Sequence, residues 1–169
     1  MQKITLNGEW ILKNPITNAT YNATVPGDVH NDLLKSSVIP DPYYSDNANI
    51  CSWVTEQDWI YEKKFEITEQ MLESKIKVVF DGIDTFSEIY INGTKIADTN
   101  NMFLRYAFTI NEFVTVGENT LSVKLLSIRQ KAAEYPSEGY FGCFDVQRIF
   151  IRKAQCHFSW DWAPNFPAM

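Results

Sequence analysis

Positive charge is scarce in this chain: 15 Lys and Arg stand against 21 Asp and Glu, for a net charge of -6 and a pI near 4.9. A polyphosphate backbone is bound by clustered Lys and Arg that release counterions, so nucleic acid is not an expected partner. Long hydrophobic runs are missing as well. None approaches the roughly 18 apolar residues that span a bilayer, and no membrane partner is expected. The three cysteines, Cys51, Cys143 and Cys156, form no C-x-x-C pair, which removes the usual thiolate metal spacing. Their odd number leaves at least one thiol unpaired, and Cys143 and Cys156 can bridge only in an oxidising compartment. The only histidines, His30 and His157, stand in no H-E-x-x-H spacing, and the 7 glycines make no G-x-G-x-x-G. No metal and no cofactor is therefore expected. No G-x-S-x-G elbow supports a serine nucleophile, and the adjacency of Cys156 and His157 is poor evidence for a thiol one, because strand neighbours point to opposite faces.

What remains is 169 residues, 45% hydrophobic and 14% aromatic, enough for one globular domain. The start, Met1-Gln-Lys-Ile-Thr-Leu-Asn-Gly, has no apolar core and no cleavage site of a signal peptide. Three N-x-T sequons, at Asn18, Asn22 and Asn92, fit a secretory or lysosomal protein, although Asn92-Gly93 is better explained as a turn.

Strand patterns dominate the chain. Thr5 to Lys13 reads as a first strand, with Asn7-Gly8 an irregularity, and a polar stretch rich in Asn and Thr follows. Asp28 is a good N-cap for a short helix that turns Val29, Leu33 and Leu34 inward, and residues 40 to 53 read as loop. Trp59, Tyr61, Phe65 and Ile67 then alternate with charged residues, a period of two that suits a strand with one buried face. Ile76, Val78 and Phe80 repeat the pattern, as do Tyr106, Phe108 and Ile110, and Leu121, Val123 and Leu125. Between them Asn92-Gly93 joins two strands as a hairpin, because both residues tolerate the positive φ of a type I′ turn. Residues 130 to 145 read as loop with a helical turn at Lys131, and Arg148 to Lys153 as one more strand. Short strands without βαβ alternation predict an all-β, jelly-roll β-sandwich with one short helix.

Near the carboxyl end, Trp160-Asp161-Trp162 pairs indoles with a carboxylate. Sugars present apolar C–H faces ringed by hydroxyls, so their sites combine a flat ring with a bidentate acceptor. Buried core is the competing explanation in a chain this aromatic, and the residues alone leave both open. The terminal stretch Trp160-Asp-Trp-Ala-Pro-Asn-Phe-Pro-Ala-Met has neither strand pattern nor cap, which reads as a cut that truncates the domain at its carboxyl end.

Several segments occur in an order similar to that of the β-mannosidases. Val25-Pro-Gly-Asp-Val-His and Asp41-Pro-Tyr-Tyr come first, then Asp58-Trp-Ile-Tyr-Glu-Lys-Lys-Phe, Phe80-Asp-Gly-Ile-Asp-Thr, Tyr90-Ile-Asn-Gly and Asp98-Thr-Asn-Asn-Met-Phe-Leu-Arg-Tyr. The last, Ile151-Arg-Lys-Ala-Gln-Cys-His-Phe-Ser-Trp-Asp-Trp, resembles the family's RKxQxxFxWDWGP and looks closer to the animal lysosomal type. The resemblance covers almost the whole chain. It implies the N-terminal galactose-binding-like domain, residues 1–169, of a glycoside hydrolase family 2 enzyme that removes terminal β-D-mannose with retention. The two catalytic glutamates would lie in a TIM barrel absent from this chain, which alone should be inactive. Carried over by position, Asp161 is the implied ligand of a sugar hydroxyl and Trp160 the wall beside it. The implied partners are mannose-terminated glycans and the enzyme's own catalytic domain. A stand-alone, lectin-like carbohydrate-binding module is the alternative. Location follows the full-length protein: lysosomal or secreted if it carries a signal peptide, otherwise cytoplasmic. Ala163 replaces the family's Gly, and if that position needs φ > 0 the change costs about 1 kcal/mol. Asp28 and His30 are expected mainly to cap and brace their helix.

Overall fold

A computed structural model of the chain describes residues 3–136, 138, 146–158 and 167–169. Eight strands carry the fold: β1 (Gly8–Lys13), β2 (Thr20–Val25), β3 (Trp59–Ile67), β4 (Lys77–Phe80), β5 (Phe86–Ile91), β6 (Thr94–Asn100), β7 (Tyr106–Thr109) and β8 (Gly117–Leu125). Six of them form one sheet in the order β2-β1-β3-β8-β5-β6, and β4 and β7 form a second, two-stranded sheet. Every pairing between these strands is antiparallel.

The alternation in the sequence becomes the buried face of the larger sheet. Trp59 stands opposite Leu125, Tyr61 opposite both Val123 and Leu12, and Ile91 opposite Leu121. All of these are buried, and each such side chain removed from water is worth about 1.5–3 kcal/mol. Val78 of the small sheet joins the same core.

The hairpin at Asn92-Gly93 is present, with φ of +49° and +81°. Asn92 does more than turn. Its amide donates to the Phe113 carbonyl (3.0 Å) and to Asn119 Oδ1 (2.8 Å), while its Oδ1 accepts from Thr120 N (2.9 Å). Asn119, 1% exposed, also bonds Thr115 and Gly117, so the β5–β6 turn is tied to the entrance of β8.

Helix α1 (Val29–Lys35) begins where expected: Asp28 is the N-cap, its side chain accepting from Asn31 N, and Val29 and Leu33 are buried. Gly27 precedes it because a Cβ there would collide with the Thr24 carbonyl oxygen. Beneath the helix, Asp32 is buried and accepts from the Tyr61 hydroxyl (2.8 Å) and Thr24 N (3.2 Å). Burial raises its carboxyl, and those two hydrogen bonds oppose the rise.

Three expectations need correction. The polar stretch after β1 contains β2, an edge strand whose Thr20, Asn22 and Thr24 are exposed and therefore show little apolar pattern. Helical turns exceed the single helix expected: α2 (Asn47–Ile50), α3 (Glu69–Leu72) and 3₁₀ turns such as Ser52–Glu56 also form, while the turn expected at Lys131 is the helix α4 (Ile128–Ala133). Finally, the segment around Arg148 is no strand. Val146–Phe150 is a 3₁₀ turn, and one parallel bridge between Asn101 and Arg152 is its only ladder contact among the described residues. The Gln155 amide lies within reach of the Arg148, Ile151 and Lys153 carbonyls (3.1, 3.4 and 3.2 Å), which a strand would have offered to a neighbour. No described helix is long and apolar enough to cross a membrane.

Candidate functional site

One end of the fold gathers charged groups from segments distant in sequence. After β4 the chain turns through Asp81, Gly82 and Ile83 to Asp84; after the bridge at Arg152 it reaches Lys153. The Lys153 side chain has no exposed surface, yet its ammonium contacts Asp84 Oδ2 and the Ala168 carbonyl. Buried cations are tolerated only when paired and hydrogen-bonded, and both conditions are met. Burial pulls Lys153 below its ordinary pKa, opposed by Asp84 and Asp28. For Asp84 burial works upward, but contacts from His157, Lys153 and Thr85 outweigh it and hold the carboxyl below its usual value.

His157 sits on the open side of this pair. Its Nδ1 faces Asp84 Oδ2 at 3.5 Å, and its side chain is 34% exposed. His30, only 3% exposed, lies in the first turn of α1. Burial pushes its imidazole down to about 4, against the opposing pull of Asp28. A cavity of about 410 Å³ is lined by Asp28, His30, Asn31, Tyr43, Asp84 and His157 among others. The carboxyl-terminal residues close one side of it, where Val29 N donates to the Met169 carbonyl (2.8 Å).

Trp160 and Asp161, the residues singled out in the sequence, lie outside the described residues, as do Ala163 and Cys143. Phe158 and Pro167, on either side of them, are both buried. Asp28 caps α1 as expected, His30 is buried in the first turn of that helix, and both line the cavity. Asp84 and Lys153 had no role assigned from sequence, although both stand in motifs quoted above. A lysine that is apolar in its surroundings and charged at its tip looks like any surface lysine until its carboxylate partner, 69 positions away, is known. Cys51 and Cys156 are free thiols, the first buried and the second exposed. No group of three or more His, Cys, Asp or Glu among the described residues could hold a metal ion.

A profile of the family described as "Glycosyl hydrolase 2 galactose-binding domain-like" matches residues 10–169. The chain belongs to that family. This galactose-binding-like domain is 38% identical to the β-mannosidase of Mus musculus over 97% of its own length and 20% of the relative's. A crystal structure of the β-D-mannosidase from Dictyoglomus thermophilum superposes with a TM-score of 0.92 at 42% identity, over 99% of this chain and 21% of that one. The exo-chitosanase of Amycolatopsis orientalis, at 20% identity and a TM-score of 0.65, shares the fold alone. The galactose-binding-like domain thus spans about a fifth of the length of the β-mannosidases it matches. The family and the all-β galactose-binding-like fold expected from the sequence are both borne out.

Proposed function

We propose that this chain is the N-terminal domain of a retaining exo-β-mannosidase, and that it contributes Trp160 and Asp161 to the site holding the terminal mannose. The observation that carries the proposal is the end-to-end likeness to one β-D-mannosidase, 42% identical over 99% of the chain. In this reading Asp161 accepts hydrogen bonds from sugar hydroxyls and Trp160 packs on the C–H face. The bond is broken elsewhere in the protein, by two carboxyl groups about 5–5.5 Å apart, one acid/base and one nucleophile, as retention requires. The Asp84–Lys153 pair is consistent with the reading: it holds Ala168 beside the turn after β4. The partners are mannose-terminated glycans and the catalytic domain, and the compartment is that of the whole enzyme.

The test is a graft. The chain replaces the corresponding region of the Dictyoglomus thermophilum enzyme, and hydrolysis of 4-nitrophenyl β-D-mannoside is followed. The graft hydrolyses it and the 169-residue chain alone does not. A folded graft without activity refutes the assignment, and so does hydrolysis by the isolated chain.

A further inference from the structure

The cavity beside the buried ion pair has a chemistry of its own, independent of Trp160 and Asp161. Its volume of about 410 Å³ lies in the range of roughly 300–1,000 Å³ common to small-molecule sites. Two carboxylates, Asp28 and Asp84, line it, together with the Asn31 amide and the His157 imidazole. The nearby cation, Lys153, is fully buried and committed to Asp84 and the Ala168 carbonyl. Among the described residues that line the cavity there is no lysine or arginine, so an anionic ligand would meet negative charge there. A metal ion is disfavoured for a different reason: Asp84 Oδ2 is already shared by Lys153 and His157.

A neutral ligand rich in hydroxyls suits these groups. Its O–H groups donate to the remaining lone pairs of the carboxylates, and its oxygens accept from the imidazole and from the amide hydrogen of Asn31 left after Asn31 Nδ2 donates to Asp28 Oδ2. Leu34 and the Tyr43 ring, 79% exposed, add an apolar side to the same cavity. The mixture of a ring, carboxylates and an amide is the one that sugars select. His157 is oriented for this use. Nδ1 faces Asp84 at 3.5 Å, the side chain is 34% exposed, and the residue lines the cavity, so we assign Nε2 the ligand-facing role.

We propose that this cavity is a second sugar-recognition site, in which His157, oriented by Asp84, hydrogen-bonds a hydroxyl through Nε2 while Asp28 and Asn31 bind neighbouring hydroxyls. The choice of a sugar among polyols rests on the β-mannosidase reading; the cavity and its polar groups do not.

The experiment uses the 169-residue chain labelled with ¹³C and ¹⁵N, with D-mannose as the probe and glycerol and inorganic phosphate as comparisons. Mannose at millimolar concentration shifts the His157 ring Cε1–Hε1 signal in a saturable way, and phosphate does not. His157→Ala keeps the amide spectrum of the folded chain and weakens mannose binding roughly fivefold or more, the loss of about one hydrogen bond; His157→Gln, which can still hydrogen-bond, recovers part of it. The inference is overturned if the His157 signal stays still up to saturating mannose, if His157→Ala binds as well as the unaltered chain, or if phosphate produces the same shift. Failure of the loop assignment looks different. If the His157 shift survives unchanged in Asp161→Ala, the cavity binds by itself and Asp161 takes no part. If the Trp160 indole signal moves while His157 does not, the loop assignment stands and this one falls.

Discussion

Lys153, fully buried, and Asp84, 22% exposed, lie 69 positions apart and meet in an ion pair that also takes in the Ala168 carbonyl. The pair draws three separate segments together at one end of the sheets: the turn after β4, the chain beyond the Arg152 bridge, and the carboxyl-terminal residues. Removing Asp84 leaves a fully buried ammonium without its carboxylate, which is far more costly than never having had the pair.

Lys153→Met and Asp84→Asn should each lower stability by about 3–5 kcal/mol. The double variant should lose less than the sum, because neither charge is then stranded. Urea unfolding at pH 7 of the three variants checks this. Additive losses would show that the two side chains act independently.

Stability should fall as pH drops from 6.5 towards 4, through His30. Its folded-state pKa, about 4, lies below the ordinary 6.5, so between those values the unfolded chain binds a proton that the folded chain refuses. Stability is therefore full above pH 6.5 and lost progressively below it, by at most about 3 kcal/mol at about 1.4 kcal/mol per pH unit. Asp84, held below its usual value, acts in the same direction lower down: its contribution is present above the ordinary carboxylate range and lost as pH falls below it. Comparing the unaltered chain with His30→Asn across this window isolates the histidine. Parallel curves for the two would refute the assignment.

Asn92 is committed to the fold, and its sequon should stay unmodified. Its amide donates to both Phe113 and Asn119, leaving no free hydrogen for a glycan to replace. Expression through a glycosylating secretory pathway followed by peptide mass spectrometry should show Asn92 unoccupied, whatever happens at the exposed Asn18 and Asn22. Asn92→Ala should cost about 1–3 kcal/mol, from the positive φ and from the lost hydrogen bonds to the Phe113 carbonyl, Thr120 N and Asn119 Oδ1, which keeps only its donor Thr115 N.

Tyr61→Phe should cost about 1–3 kcal/mol, since it strips a hydrogen bond from a carboxylate that is 1% exposed. Thermal unfolding at neutral pH measures it. Asp32→Asn in the Tyr61→Phe background should recover part of the loss by removing the buried charge.

Strands whose apolar residues pair across the large sheet, such as β3 and β8, were legible in the sequence because burial of one face imposes a period of two. So were the Asn92-Gly93 hairpin and the Asp28 cap, where the backbone demands particular residues. β2 was not, because an edge strand buries little. The Arg148 segment misled for the opposite reason: it alternates, but its carbonyls are satisfied by Gln155 and its lysine by Asp84, so it never joins a ladder. In the candidate site only the Asp28 cap was a local signal, whereas the Asp84–Lys153–His157 cluster exists only after folding.

The most direct measurement is kcat/KM for 4-nitrophenyl β-D-mannoside in the grafted enzyme, with and without Asp161→Ala. Losing a hydrogen bond from a charged acceptor to the sugar predicts a fall of about 10- to 150-fold, at an unchanged melting temperature. An Asp161→Ala graft as active as its parent would contradict the sugar-contacting role.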